Sequence, residues 1–256
     1  MRRVKILELR FWGPLVFLFI LVIPTLVNGQ KGNAVNILEF RYGYTLPMAD
    51  METRFGSAST IGLSMESVRA SNKFFFGFDG MYLFGNTVKE DVLANLRAYD
   101  GSIIDINGAP GDINLKERAF YFGLNAGKIF STTKHENKLT GVRTQIGIGY
   151  LQHKVRVQDN GRSVVALEKQ YLPGYDRLSS GPALHLGVGY HYEHPRQNFH
   201  FSVMADFYGA STQVRRDVDY ATGGSLTEKR TDLLAGLSIA YVVIISREQK
   251  SENIYY

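Results

Sequence analysis

GPALHLGVGYHYEHPRQNFHFSVMADFY, residues 181–208, is the stretch that decides the fold. Read alternately, Pro182, Leu184, Leu186, Val188, Tyr190 and Tyr192 fall on one face, with Ala183, His185, Gly187, Gly189 and His191 on the other. The polar run Glu193-His194-Pro195-Arg196-Gln197-Asn198 turns the chain. The return leg repeats the code, setting Phe199, Phe201, Val203, Ala205 and Phe207 against His200, Ser202, Met204, Asp206 and Tyr208. Such period-two alternation is the signature of a strand. One face is large and apolar; the other is built from Gly, His, Ser and Asp and cannot fill a dry core. That contrast predicts lipid outside and a polar lumen inside. A turn centred on Pro195 puts His191 opposite His200 and His185 opposite Asp206.

The pattern recurs outward from this hairpin, at 35–45, 57–69, 73–84, 115–130, 139–157 and 231–245, for eight strands in all. The third shows it most loudly, with Phe74, Phe76, Phe78, Tyr82 and Phe84 against Phe75, Gly77, Asp79 and Met81. Long connections (46–56, 85–114, 158–180, 210–230) alternate with short turns, so the long ones share one side. The expected fold is all-β: an eight-stranded antiparallel up-and-down transmembrane β-barrel with long outer loops, one carrying a short helix. Closure leaves no strand edge unpaired in lipid. Tyr42, Tyr44, Tyr82, Phe84, Phe120, Tyr150 and Phe207 are placed near the outer rim. Phe74, Tyr190, Tyr192, Phe199 and Tyr241 are placed near the inner one, as aromatic girdles. The alternative is a secreted soluble barrel with the greasy face inward.

The ends of the chain give its organisation. Arg2, Arg3 and Lys5, the apolar run 15–27 and the small-residue site Val27-Asn28-Gly29 read as a secretory signal over 1–29. The barrel is expected over 30–245, with a polar tail over 246–256. There is no cysteine among the 256 residues, hence no disulfide and no lipid anchor through an N-terminal Cys. The formal charge of +5 falls to about +2 without the leader, and basic residues are interleaved with acids, which argues against a nucleic-acid partner. Beyond the leader no apolar run reaches the length of a transmembrane helix.

On these strands and loops the chain resembles the small eight-stranded bacterial outer-membrane barrels, of the OmpA, OmpX and OmpW architecture. The resemblance spans essentially the whole mature chain and implies the bacterial outer membrane, with outer-membrane lipids as surroundings. Gly236, Ile239 and Tyr241 are similar to the spaced last-strand signal of such barrels, from which the tail 246–256 departs.

The inward positions Glu39, Arg41, Asp79, Glu117, Arg143, His185, His191, His200 and Asp206, together with Glu66 and Gln145, form a candidate polar network in the lumen. An unpaired buried charge is expensive, so opposite charges are expected to pair and plug the interior; a narrow path for ions or solutes is the rival. His191 and His200 supply only two ligands where zinc takes three or four, so packing is expected over a metal, and no cofactor is called for. His185 and Asp206 resemble a catalytic dyad. Ser179 and Ser180, however, stand in a loop without a recognisable motif, so no enzyme is expected.

The segment from Gly85 to Asn114 is the most distinctive loop. Thr87-Val88-Lys89-Glu90 reads as a capping box. Val88, Val92, Leu96 and Tyr99 follow at helical spacing, with Asp100-Gly101 as the stop. Ile103, Ile104, Ile106 and Ile113 come next. This helix is expected either to close as a lid or to dock on another envelope protein. In 158–180, Asp159-Asn160-Gly161 reads as a turn and Tyr171, Leu172, Pro173, Gly174 and Tyr175 as an exposed aromatic patch. The expected function is a non-enzymatic scaffold or accessory barrel acting through its outer loops, with oligomeric state open. Alternatives are a small transport barrel for ions or hydrophobic solutes and, behind it, a lipid-modifying enzyme.

Overall fold

The computed structural model describes residues 34–132, 139–194, 199–224 and 229–247. The leader, the Pro195 turn and the tail beyond 247 lie outside the described residues. Eight antiparallel strands follow in chain order: β1 (Ala34–Ala49), β2 (Ala58–Arg69), β3 (Phe74–Gly85), β4 (Ile113–Ser131), β5 (Gly141–Asp159), β6 (Ser179–Glu193), β7 (His200–Val214) and β8 (Lys229–Arg247). Each pairs with the next, and β1 pairs with β8, so the sheet closes on itself. The connections 86–112 and 160–178 emerge at one end, with 50–57 and the described part 215–224 of the last connection; the turn 70–73 lies at the other. The long-loop end is the outer one.

Which face points out decides between lipid and soluble barrels. Leu184, Leu186 and Val188 stand 57%, 49% and 52% exposed, while Glu39, Asp79 and Arg143 are buried inside. A soluble barrel would hide the first set and wet the second. On β4 the outward band runs from Phe120 to Phe130. At ~3.4 Å per residue and ~40° of tilt those positions span about 26 Å of height, the thickness of an outer-membrane apolar band at about 25 Å. Lys128 lies over the rings of Phe74 and Phe130 at 4.9 and 5.3 Å, its stem on the wall and its ammonium at the inner interface. The fold is that of a membrane-spanning β-barrel of the outer-membrane type.

The lumen is layered rather than uniformly wet, which the alternation alone does not show. At the inner end Val35, Ile37, Val68, Phe75, Ile129, Leu139 and Val242 form an apolar plug. Polar and charged side chains fill the middle. At the outer mouth Met81, Leu83, Tyr121, Leu151, Tyr208 and Leu234 from the wall join Met51, Phe55, Val92, Leu93, Ile103 and Leu167 from the loops in a second apolar core. Gly127 makes room for the inner plug: a Cβ there would meet the Phe75 ring at 2.4 Å.

Two local expectations are corrected. In the β6–β7 hairpin His191 faces Ser202, His185 faces Tyr208 and His200 faces Glu193, a register two residues away from a turn centred on Pro195. The segment Val88, Val92, Leu96, Tyr99 is not an α-helix; it holds one 3-10 turn, Ala94–Leu96. Val88 instead bridges to Phe55, with the Gly56 amide donating to the Thr87 carbonyl and the Lys89 amide to the Arg54 carbonyl. The capping-box residues are thus held extended against the first loop, and a helix cannot start there. That first loop carries the short α-helix, α1 (Asp50–Arg54).

Candidate functional site: the ionic belt and the loop cap

Arg143 is the centre of the lower belt. Its Nη1 donates to Glu39 at 2.5 Å, and Nη2 donates to Glu66 at 2.6 Å and Gln145 at 2.9 Å. The guanidinium lies 4.4 Å from the Phe75 ring centre, which seats it on the inner plug. Asn125 donates to Glu66 at 2.7 Å, and His191 stands 3.8 Å from Glu39.

A second cluster lies above it. Arg41 pairs with Asp79. His185 sits between two carboxylates, with Nδ1 3.3 Å from Asp79 and Nε2 2.9 Å from Asp206. Ser238 donates to Asp206 at 2.6 Å. Tyr208 stacks on the His185 ring at 4.1 Å and Tyr121 meets it edge-on at 6.0 Å. His185 and Asp206 therefore meet as a diagonal pair, not as direct partners on the ladder. Nε2 is thus engaged with Asp206, while Nδ1 stands near Asp79 without a hydrogen bond among the described residues. Ser179 is directed instead to the outer mouth, where Arg54 donates to it at 3.2 Å. His191 and His200 lie buried near the inner end, and among the described residues no group of three or more His, Asp or Glu side chains is placed to hold a metal ion. Glu117, 1% exposed, stands apart from both clusters beneath the cap, and among the described residues neither carboxylate oxygen accepts a hydrogen bond.

The cap is where the four outer loops meet. Glu90 from 86–112 accepts from Arg54 at 2.6 Å and also pairs with Arg177 of 160–178. Arg177 reaches Asp219 of 215–228 at 2.9 Å, and Arg216 grips Asp176 through two bonds of 2.8 and 2.6 Å. Asn95 donates to the Tyr220 carbonyl at 3.0 Å, and Tyr175 packs edge-on against Tyr220. Burial lowers the Arg54 guanidinium from its ordinary value, against the opposing pull of Glu90. On the loop that carries Glu90, the hydrogen bond from Arg97 holds the Asp91 carboxyl below the usual carboxylate range.

Tyr175, expected in an exposed patch, is buried; Tyr171 is exposed. Of the four positions read as a helix face, Val92 is fully buried and Val88 and Leu96 pack against the apolar core, while Tyr99 is fully exposed. The clasp residues Arg54, Asp176, Arg177, Arg216 and Asp219 escape sequence reasoning. They join segments far apart in the chain, and no spacing announces them.

No protein-family model and no curated protein matches the sequence. Among solved structures the chain is similar to Neisserial surface protein A, at 12% identity over 82% of this chain and 97% of that one, TM-score 0.44. It is also similar to Ail, the attachment invasion locus protein of Yersinia pestis in complex with the heparin analogue sucrose octasulfate (12% identity, 83% and 99% covered, TM-score 0.39). A third is the outer membrane protein OprG from Pseudomonas aeruginosa (11% identity, 84% and 98% covered, TM-score 0.34). At these identities the likeness is one of fold alone.

Proposed function

We propose that this barrel is a non-enzymatic scaffold or accessory subunit of the envelope, and that its outer cap docks on another envelope protein through the tip of the segment 85–114. The observation that carries this reading is the division of labour inside that segment. Val92, Leu93 and Ile103 are spent on the barrel's own core, yet Tyr99, Ile104 and Ile106 project at 109%, 46% and 73% exposure. The tip is also braced: the Ile106 amide donates to the Ser163 carbonyl at 2.9 Å, and Ile104 bridges to Pro110. Apolar side chains on a firm support suit recognition, because little ordering entropy is lost on docking. The filled lumen supports the same reading, since a layer of paired charges sits between two apolar plugs.

Crosslinking and pull-down from outer membranes tests it. The native chain is expected to retain a specific envelope protein that the Tyr99→Ser/Ile104→Ser/Ile106→Ser variant loses. If the same protein is recovered from both, the tip is not the docking surface. In planar bilayers the native chain is expected to show no stable conductance; steady open channels would favour a transport barrel instead.

A further inference from the structure

The outward face of β4 and β5 changes character just past the aromatic girdle. From Phe120 to Ala126 on β4 and from Tyr150 to Ile146 on β5 it is apolar. Above them β4 presents Arg118 and then Lys116, while β5 presents Gln152, Lys154 and Arg156. The register sets Lys116 directly across from Arg156 and Arg118 directly across from Lys154. Like charges facing each other on one side of a ladder are destabilising, with side chains starting only about 5 Å apart. Here two such pairs follow one another.

None of the four cations pairs with a carboxylate among the described residues. Among the described residues Arg118 donates to the backbone carbonyls of Gly85 and Glu117 alone, at 3.3 and 2.5 Å. By contrast Arg41, Arg54, Arg97, Arg143, Arg177 and Arg216 each hold a carboxylate. The acids further along the same arm are already engaged, Asp112 with Asn160 and Asp159 with the Val164 amide. On the flanking strand, Phe84 stands beside Arg118.

Height supplies the missing partner. With ~3.4 Å per residue and ~40° of tilt, Arg118 stands about 5 Å and Lys116 about 10 Å above Phe120. The headgroup layer of one leaflet is about 5–7 Å thick. Arg118 and Lys154 therefore start within that layer, and Lys116 and Arg156 start about 3–5 Å beyond it, close enough for their long side chains to reach back to its phosphates; phosphate is the natural counter-charge there and the Arg fork matches it bidentately.

We propose that Lys116, Arg118, Lys154 and Arg156 form a binding site for the phosphorylated headgroup of an outer-leaflet lipid. Each cross-strand pair of cations takes one phosphate, so a lipid carrying two phosphates fits better than one carrying a single phosphodiester. The site lies on the outside wall, apart from the apolar tip of the cap, and does not depend on a protein partner.

Native mass spectrometry of the full barrel released from detergent, titrated with a bisphosphorylated glycolipid, tests this. The native chain is expected to keep a one-to-one glycolipid adduct, and Lys116→Gln/Arg118→Gln/Lys154→Gln/Arg156→Gln to weaken it at least tenfold. Lys128→Gln, which removes a cation at the opposite rim, is expected to leave it unchanged. Phosphatidylcholine is expected to bind at least tenfold more weakly, and inorganic phosphate at about 10 mM not to displace the glycolipid; raising salt from about 50 to about 500 mM should cost the native chain at least tenfold. The proposal is overturned if the quadruple variant, folded by circular dichroism, binds as the native chain does. It is equally overturned if phosphatidylcholine binds as well, if free phosphate displaces the glycolipid, or if native binding ignores salt. The salt series needs no variant, so it decides even where the quadruple change prevents folding.

Discussion

Replacing Arg143 by methionine puts the ionic belt to its most direct test. The side chain is 1% exposed and holds two carboxylates that are themselves buried, Glu39 at 2.5 Å and Glu66 at 2.6 Å. Methionine keeps much of the volume against Phe75 but leaves both acids facing an apolar thioether. Removing one partner of a buried ion pair costs about 3–5 kcal/mol. Loss of the desolvated contact with the Phe75 ring adds about 2 kcal/mol. Arg143→Met should therefore lower the unfolding free energy by about 4 kcal/mol or more, roughly a thousandfold in the folding equilibrium. The triple variant Glu39→Gln/Glu66→Gln/Arg143→Met removes the stranded charges as well and should return to within about 2 kcal/mol of the native chain, because a buried pair replaced whole is often neutral. Reversible urea unfolding in lipid vesicles measures both. The chain's single tryptophan is Trp12, ahead of β1, so far-ultraviolet circular dichroism is the readout. Native stability in Arg143→Met, or a triple variant no better than the single one, would refute the account of the belt.

The cap, the outer mouth and the inner plug give three further expectations. Glu90→Gln strips the carboxylate from Arg54, which is 2% exposed, and from Arg177; amide exchange in 86–112 should rise at least tenfold while exchange in the barrel strands stays unchanged. Glu117→Met replaces a buried carboxylate that accepts no hydrogen bond among the described residues, and should raise the urea midpoint by the equivalent of about 1–3 kcal/mol. Gly127→Ala drives a methyl group to 2.4 Å from the Phe75 ring and 2.1 Å from the Thr144 carbonyl; a loss of about 1–3 kcal/mol is expected in the same assay.

Much of the wall was legible because a strand declares its two faces locally. Leu184, Leu186 and Val188 against His185, Gly187 and Gly189 state inside and outside without reference to any other strand. Register is not local in that way: placing the turn on Pro195 misjudged the His185 and His191 partners by two residues, although His185 still reaches Asp206 along the diagonal. The loop segment failed for a different reason. Val88, Val92 and Leu96 do recur at helical spacing, but Phe55 and Arg54, more than thirty positions earlier, capture the backbone at Val88 and Lys89. Adjacent Val92 and Leu93 are both buried because the cap closes over them, which no single helix face would require. Tertiary contact overrode propensity there. The clasp around Glu90 was invisible for the same reason: its members are recognisable only once the barrel has brought four loops to one end.

In a ring of eight strands, β1 and β5 stand on opposite walls. Arg143 on β5 nevertheless grasps Glu39 on β1 and Glu66 on β2, and His185 on β6 reaches Asp79 on β3. These contacts run across the bore rather than around the circumference, like spokes in a wheel. A hydrogen-bonded wall alone can flatten into an ellipse under lateral pressure from the bilayer without breaking a rung. Spokes resist that deformation in the directions they span. The cross-section is therefore expected to stay round, and the outer loops to keep their spacing, when the surrounding membrane is compressed or stretched.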